Sequence, residues 1–105
     1  MRIIEERDYL TKPGKAMEFA SAYEQHGLPI QKEFLGEFLG YFVSEVGELN
    51  RVVALWAYDS LDERLTRREL MMADPRWSDY LNMVLPLLLQ QQTRFLRPTS
   101  FSPIQ

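Results

Sequence analysis

The most informative stretch in the pattern of hydrophobic and polar positions is the unbroken apolar run within Arg51-Val-Val-Ala-Leu-Trp-Ala-Tyr58. The segment is rich in β-branched and aromatic residues, lacks Gly and Pro, and is bracketed by turn-like Gly47-Glu-Leu-Asn50 and a helix start at Ser60, so it predicts a strand. Successive side chains point to opposite faces. One face carries Val52, Ala54, Trp56 and Tyr58; the other carries Val53, Leu55 and Ala57. Neither is polar, so both are expected to be covered.

The rest of the chain is built around that strand. Residues 3–10 alternate weakly and predict another, with Ile3, Glu5, Arg7 and Tyr9 on one face and Ile4, Glu6, Asp8 and Leu10 on the other. Pro13 can open a helix, since its missing N–H would be unpaired at that position. Met17, Ala20, Tyr23 and Glu24 keep helical spacing, and Gly27 is a suitable stop. A short helix over 30–35 follows Pro29. Residues 36–46 predict a strand, with Phe38, Gly40 and Phe42 against Leu39, Tyr41 and Val43, and residues 47–50 suit a hairpin loop.

Ser60-Leu-Asp-Glu63 is a capping box. Its helix is expected to turn Leu61, Leu65 and Met72 inward and Arg64, Arg67 and Arg68 mostly outward. Asp74-Pro75 caps a further helix, in which Trp77, Tyr80, Leu81 and Val84 make an apolar stripe until Pro86 closes it. Residues 87–97 predict the last strand. The tail over 98–105 either frays or docks on a second subunit through Phe101.

Strand, helix, strand, strand, helix, strand is the order of an α+β, ferredoxin-like split βαβ antiparallel sheet, here as one domain over residues 1–105. Right-handed crossovers place both helical layers on one face. The opposite face would be bare in a monomer. Each large buried side chain is worth about 1.5–3 kcal/mol, so exposing half a dozen forfeits roughly 10 kcal/mol. Trp56, Tyr58 and their neighbours therefore predict a partner sheet, most economically a second copy of this chain in a homodimer.

Composition narrows the function. The net charge of −3 argues against nucleic acid, which needs a basic face. With no cysteine there is no disulfide, thiolate metal site or cysteine nucleophile, and one histidine cannot build a multi-histidine metal site. No cofactor and no metal are expected. No apolar run reaches the length of a membrane span and no signal-peptide core is visible, so no membrane association and a cytoplasmic location are expected.

Taken together, Glu5-x-Arg7-x-Tyr9, Lys12-Pro-Gly-Lys15, Gly40-Tyr-Phe42, the run from Leu49 to Asp59, Arg64, Asp74-Pro-x-Trp77 and Leu96-Arg-Pro-Thr99 resemble the NIPSNAP family. The resemblance covers nearly the whole chain. It implies a dimeric α/β barrel in which two ferredoxin-like sheets face each other, and no general reaction. Similar barrels in other families include cofactor-free monooxygenases, haem-degrading enzymes and lactone isomerases. A histidine often stands in the family pattern where this chain has Ala54, so no acid–base role is expected there.

The candidate ligand-binding residues are Glu5, Arg7, Tyr9, Tyr41, Trp56, Tyr58, Gln92 and Arg94. In one cavity between two sheets they would give aromatic walls with a few polar fixtures. Arg7 or Arg94 would hold a carboxylate or enolate, and Tyr9 or Tyr41 would donate to an oxyanion. A salt-bridged strand surface over a plain core is the simpler alternative. His26 before Gly27 suits a helix C-terminus. Arg64, Arg67 and Arg68 read either as an anion patch or as a solvated face paired to Asp62, Glu63 and Glu69. Three functions stay open: small-molecule binding, a cofactor-free oxygenase or isomerase, and a structural interaction module with no cavity.

Overall fold

The computed structural model describes residues 2–105. β1 (Ile3–Thr11) and β3 (Arg51–Tyr58) pair antiparallel at the centre of a four-stranded sheet. β2 (Glu37–Val43) lies outside β3 and β4 (Leu88–Leu96) outside β1, both antiparallel. This β2-β3-β1-β4 order is the expected ferredoxin-like arrangement. The first crossover holds α1 (Ala16–Ala22) and α2 (Leu28–Phe34); the second holds α3 (Leu61–Met72) and α4 (Pro75–Val84), with a 3-10 turn over Leu85–Leu87.

Both helical layers cover the face that carries Trp56. Val52, Ala54, Trp56 and Tyr58 are at most 3% exposed and pack with Phe19, Ile30, Met71 and Trp77. The expectation that Trp56 and Tyr58 need a partner sheet is therefore wrong, because a single chain already roofs them. Alternation showed that β3 is apolar on both sides; it did not say which side the crossovers cover. The largest side chains fill the thicker layer under the helices, and the smaller Val53 and Leu55 take the other face.

That other face is covered only in part. The tail turns back over it, with Thr99, Ser102 and Ile104 sharing a groove with Ile4, Leu39 and Leu55. Arg2 donates to the Gln105 carbonyl at 2.6 Å. Phe101 is 86% exposed, so it anchors nothing within the chain.

Several local expectations hold. The Glu63 amide donates to Ser60 Oγ at 3.0 Å, the Glu63 carboxylate accepts the Asp59 amide, and Asp74 accepts the Arg76 amide at 2.9 Å. Trp77, Tyr80 and Val84 form the buried stripe of α4.

Others are corrected. The helix does not stop at Gly27: α1 runs through a π-helical turn, Tyr23–Gly27, straight into α2. Gly27 keeps a helical φ of −94° and is required by space, since a Cβ there would lie 2.6 Å from the Tyr80 ring. His26 consequently sits within a continuous helix, exposed, rather than at a C-terminus. Pro13 lies in the turn before α1, not in it.

The orientation of α3 is the reverse of the reading above. Leu61, Leu65 and Met72 are more than half exposed, whereas Arg64, Arg67, Arg68 and Met71 face inward or along the flank. The inward stripe is basic because a buried carboxylate waits beneath it. β2 carries a bulge between Phe38 and Gly40. The extra residue turns Tyr41 to the same side as Phe38, against the core, and leaves Leu39 and Phe42 outside.

Candidate functional site

A cavity of about 280 Å³ lies between the sheet and the helices of one chain. It is not the expected space between two sheets, for the reason that moved Trp56: the aromatic face is the one the helices cover. β1 supplies Arg7 and Tyr9, β2 Tyr41, and β3 Ala54 and Trp56. The helices add Tyr23, Gln31, Arg68, Trp77 and Tyr80. Met72, Leu85 and Gln91 also line it and are exposed, which places its mouth beside β4.

The eight candidates do not stay together. Arg7, Tyr9, Tyr41 and Trp56 line the cavity. Glu5 and Tyr58 share their face of the sheet but stand outside its wall. Gln92 and Arg94 are on the other face: Gln92 is opposite Asp8, and Arg94 pairs with Glu6 in solvent. Reading β4 one residue out of phase caused the miss. Its inward positions are Gln91, beside the cavity, and Thr93, whose hydroxyl accepts from Arg7 at 3.3 Å.

Glu5 is fully buried and organises the polar floor. Arg64 donates to both its oxygens, at 3.0 and 2.8 Å, and Arg7 donates to Oε2 at 2.8 Å. Burial works against this charge, but the bonds from Arg64 and Arg7 outweigh it and hold the carboxyl below the usual glutamate range. Arg7 Nε also donates to the Tyr9 hydroxyl at 2.7 Å, leaving the Tyr9 proton for another acceptor. The strand-surface ion pair weighed against a site is thus real, and it forms the floor of one. Arg67 does pair with Glu63 as a helix-face cation should, at 2.8 Å. Arg64 and Arg68 depart from that reading.

Three polar groups in the cavity wall lack hydrogen-bond partners: Tyr41 Oη, Trp56 Nε1 and Arg68 Nη1. The Trp56 N–H approaches the Tyr23 oxygen without completing a bond to it, and the Tyr23 hydroxyl donates to Gln31. Tyr23 stacks on Tyr41 with ring centroids 4.4 Å apart, which fixes both rings. Burial pushes the phenols of Tyr23, Tyr41 and Tyr80 well above the ordinary tyrosine value, and Tyr58 up to about 12. They are donors at neutral pH. Burial first, and then the charge of Arg7, lower the pKa of Arg68.

The wall is therefore rich in donors and carries no base poised near neutrality. Ala54 lies in it, so the position that the family resemblance links to histidine holds no acid–base group. Tyr23, Gln31 and Tyr80 were not among the sequence candidates, and Arg68 entered only as one of the three α3 arginines read as an anion patch or a solvated face. The signal for Arg68 was its i, i+4 spacing from Arg64, which puts both on whichever side of α3 meets Glu5. Among the described residues no cluster of His, Asp and Glu could hold a metal, and no helix is long and apolar enough to cross a membrane.

The pattern of the NIPSNAP family matches residues 4–103. Protein NipSnap of Drosophila melanogaster is 33% identical over 103 residues, covering 98% of this chain and 37% of that protein. The chain thus spans about a third of that relative's length. An uncharacterized NIPSNAP-like domain protein from Burkholderia xenovorans is 44% identical, with a TM-score of 0.93 over 97% of this chain and 89% of that one. A NIPSNAP family protein of unknown function from Agrobacterium tumefaciens reaches a TM-score of 0.96 at 39% identity, covering 99% and 94%. A putative antibiotic biosynthesis monooxygenase from Bordetella bronchiseptica shares the fold alone, with a TM-score of 0.71 at 12% identity over 93% and 97%. By pattern, identity and fold, this chain belongs to the NIPSNAP family.

Proposed function

We propose that the protein binds a small organic molecule in the cavity between its sheet and its helices, as a homodimer. The observation that carries this reading is the set of unpartnered donors in the cavity wall. Three donors without a partner in the chain face one open volume, an arrangement that suits a polar ligand and that a solidly packed interaction module would not need. At about 30 Å³ per water-sized group, the cavity has room for roughly nine heavy atoms. Aromatic walls with few polar fixtures suit such a ligand.

Native mass spectrometry of freshly purified protein, followed by a thermal-shift screen of small organic molecules, tests the reading. A copurifying molecule, or a ligand that raises Tm as its concentration rises, is the expected result. No bound mass and no shift across the screen would overturn it.

An enzymatic reading is favoured by one feature: Tyr41 and Arg68 are the kind of donors that stabilise a developing oxyanion. A cofactor-free oxygenase or an isomerase would use them. The missing base restricts such chemistry to substrates that ionise on their own. Oxygen uptake or ligand turnover by the purified chain would separate an enzyme from a binding protein.

The homodimer rests on the face opposite the cavity. Phe42 and Leu96 are exposed there and Val53 and Leu55 half-buried, and the tail covers only part of it.

A further inference from the structure

We propose that the ligand is an organic anion, a flat carboxylic acid or an acid of the same shape, whose charged group meets Arg68. This rests on the binding reading above and adds the charge and the anchoring residue.

Charge counting around Glu5 leads to it. Three guanidiniums, those of Arg7, Arg64 and Arg68, crowd about this one carboxylate. Arg64 takes both its oxygens and Arg7 takes one of them, so the acceptor is already committed. Arg68 Nη1 is left buried and without a partner, in the wall of the cavity. Arg68 is half-buried and shares Glu5 with two other guanidiniums that take all of its hydrogen bonds, so an acceptor in the cavity is the partner open to Nη1.

The other unpartnered groups have the same polarity. Tyr41 Oη and Trp56 Nε1 can both donate, and the Tyr9 proton is free because its oxygen accepts from Arg7. Four donors and no free carboxylate in one wall match a ligand made of acceptors. A carboxylate offers two oxygens in the plane that a guanidinium matches. The rest of the wall is aromatic, with the Tyr23–Tyr41 stack fixed in place, so the body of the ligand is apolar and flat.

Benzoate and benzamide have nearly the same shape and differ in charge, which makes them the decisive pair. Calorimetry on the full chain at pH 7 should show benzoate binding at least tenfold tighter than benzamide. Arg68→Gln should remove that preference, bringing the two affinities to within about twofold of each other. Tyr41→Phe, which alters no partner within the chain, should weaken benzoate severalfold; it keeps the test decisive if Arg68→Gln misfolds.

Equal affinity for the two probes would overturn the anion while leaving small-molecule binding intact. So would a benzoate preference that survives in Arg68→Gln. Phosphate or chloride binding as tightly as benzoate, and competing with it, would show an inorganic anion site and overturn the organic acid. Binding of neither probe, with no hit in the wider screen, would remove the binding reading and this inference together.

Discussion

Glu5 holds two guanidiniums in place from the interior, and its loss should be felt throughout the molecule. Glu5→Gln would leave the half-buried guanidiniums of Arg7, Arg64 and Arg68 without the buried carboxylate they surround. Breaking a buried pair from one side costs about 3–5 kcal/mol, a large share of the stability of a domain this size. A urea titration at pH 7 should show that loss in the midpoint. The same carboxyl makes stability depend on acid. Its folded-state pKa is depressed by Arg64 and Arg7, so its contribution is complete above the unfolded value of roughly 4.3 and disappears as pH falls through the lower folded value. The parent should hold its urea midpoint between pH 7 and pH 5 and lose it steadily below pH 4. In Glu5→Gln that component should be flat. Little of this was visible in the chain alone. Glu5 and Arg7 could be placed on one strand face, but the Arg64 contact joins positions 59 residues apart, and no local pattern announces it.

The π-turn between α1 and α2 shows how a local irregularity builds the cavity. Its extra residue per turn keeps the helix continuous across Gly27 while presenting Tyr23 to Tyr41 and Gln31. Gly27 lies against Tyr80, and a Cβ would come within 2.6 Å of that ring and 2.9 Å of Tyr23. Gly27→Ala should therefore cost about 1–3 kcal/mol as overpacking, despite alanine's better helix propensity. It should also weaken any ligand, because the displaced Tyr80 ring lines the cavity. Chemical denaturation paired with a thermal-shift titration would read both effects; a more stable variant would mean that the ring yields freely. Elements with local signatures, such as the Ser60 cap, the Asp74-Pro75 start and the stripe of α4, were legible in the sequence. The bulge at Leu39 and the facing of α3 were not, because both depend on what lies across the sheet. Without the bulge Tyr41 would point away from the cavity.

A flat shape follows from two helical layers on one side of a sheet: the molecule measures 38 × 36 × 19 Å. Its surface of 6605 Å² exceeds the about 6,100 Å² expected of a compact monomer of 12.4 kDa. The excess fits a flat chain with one sheet face partly uncovered, the face on which the proposed second copy would sit across a two-fold axis. The apolar residues of β3 did foretell cover over Trp56, but the helices supply it rather than a second copy, and Val53 and Leu55 on the other face stay half-buried, which supplies a clean experiment. Val52 and Val53 are neighbours of the same residue type on opposite faces, the first fully buried and the second half-buried. Val52→Lys places an unpaired ammonium under the helices and should cost several kcal/mol, unfolding the protein at any concentration. Val53→Lys can lay its methylenes along the sheet and keep its charge in water, so the chain should remain folded. Across a two-fold axis the same lysine would put like charges into an apolar contact, so sedimentation should show a folded monomer where the parent shows a dimer. A parent that sediments as a monomer at micromolar concentration would refute pairing through this face. A dimer undisturbed by Val53→Lys would move the contact elsewhere, with the α3 flank carrying exposed Leu61 and Leu65 as the next place to probe.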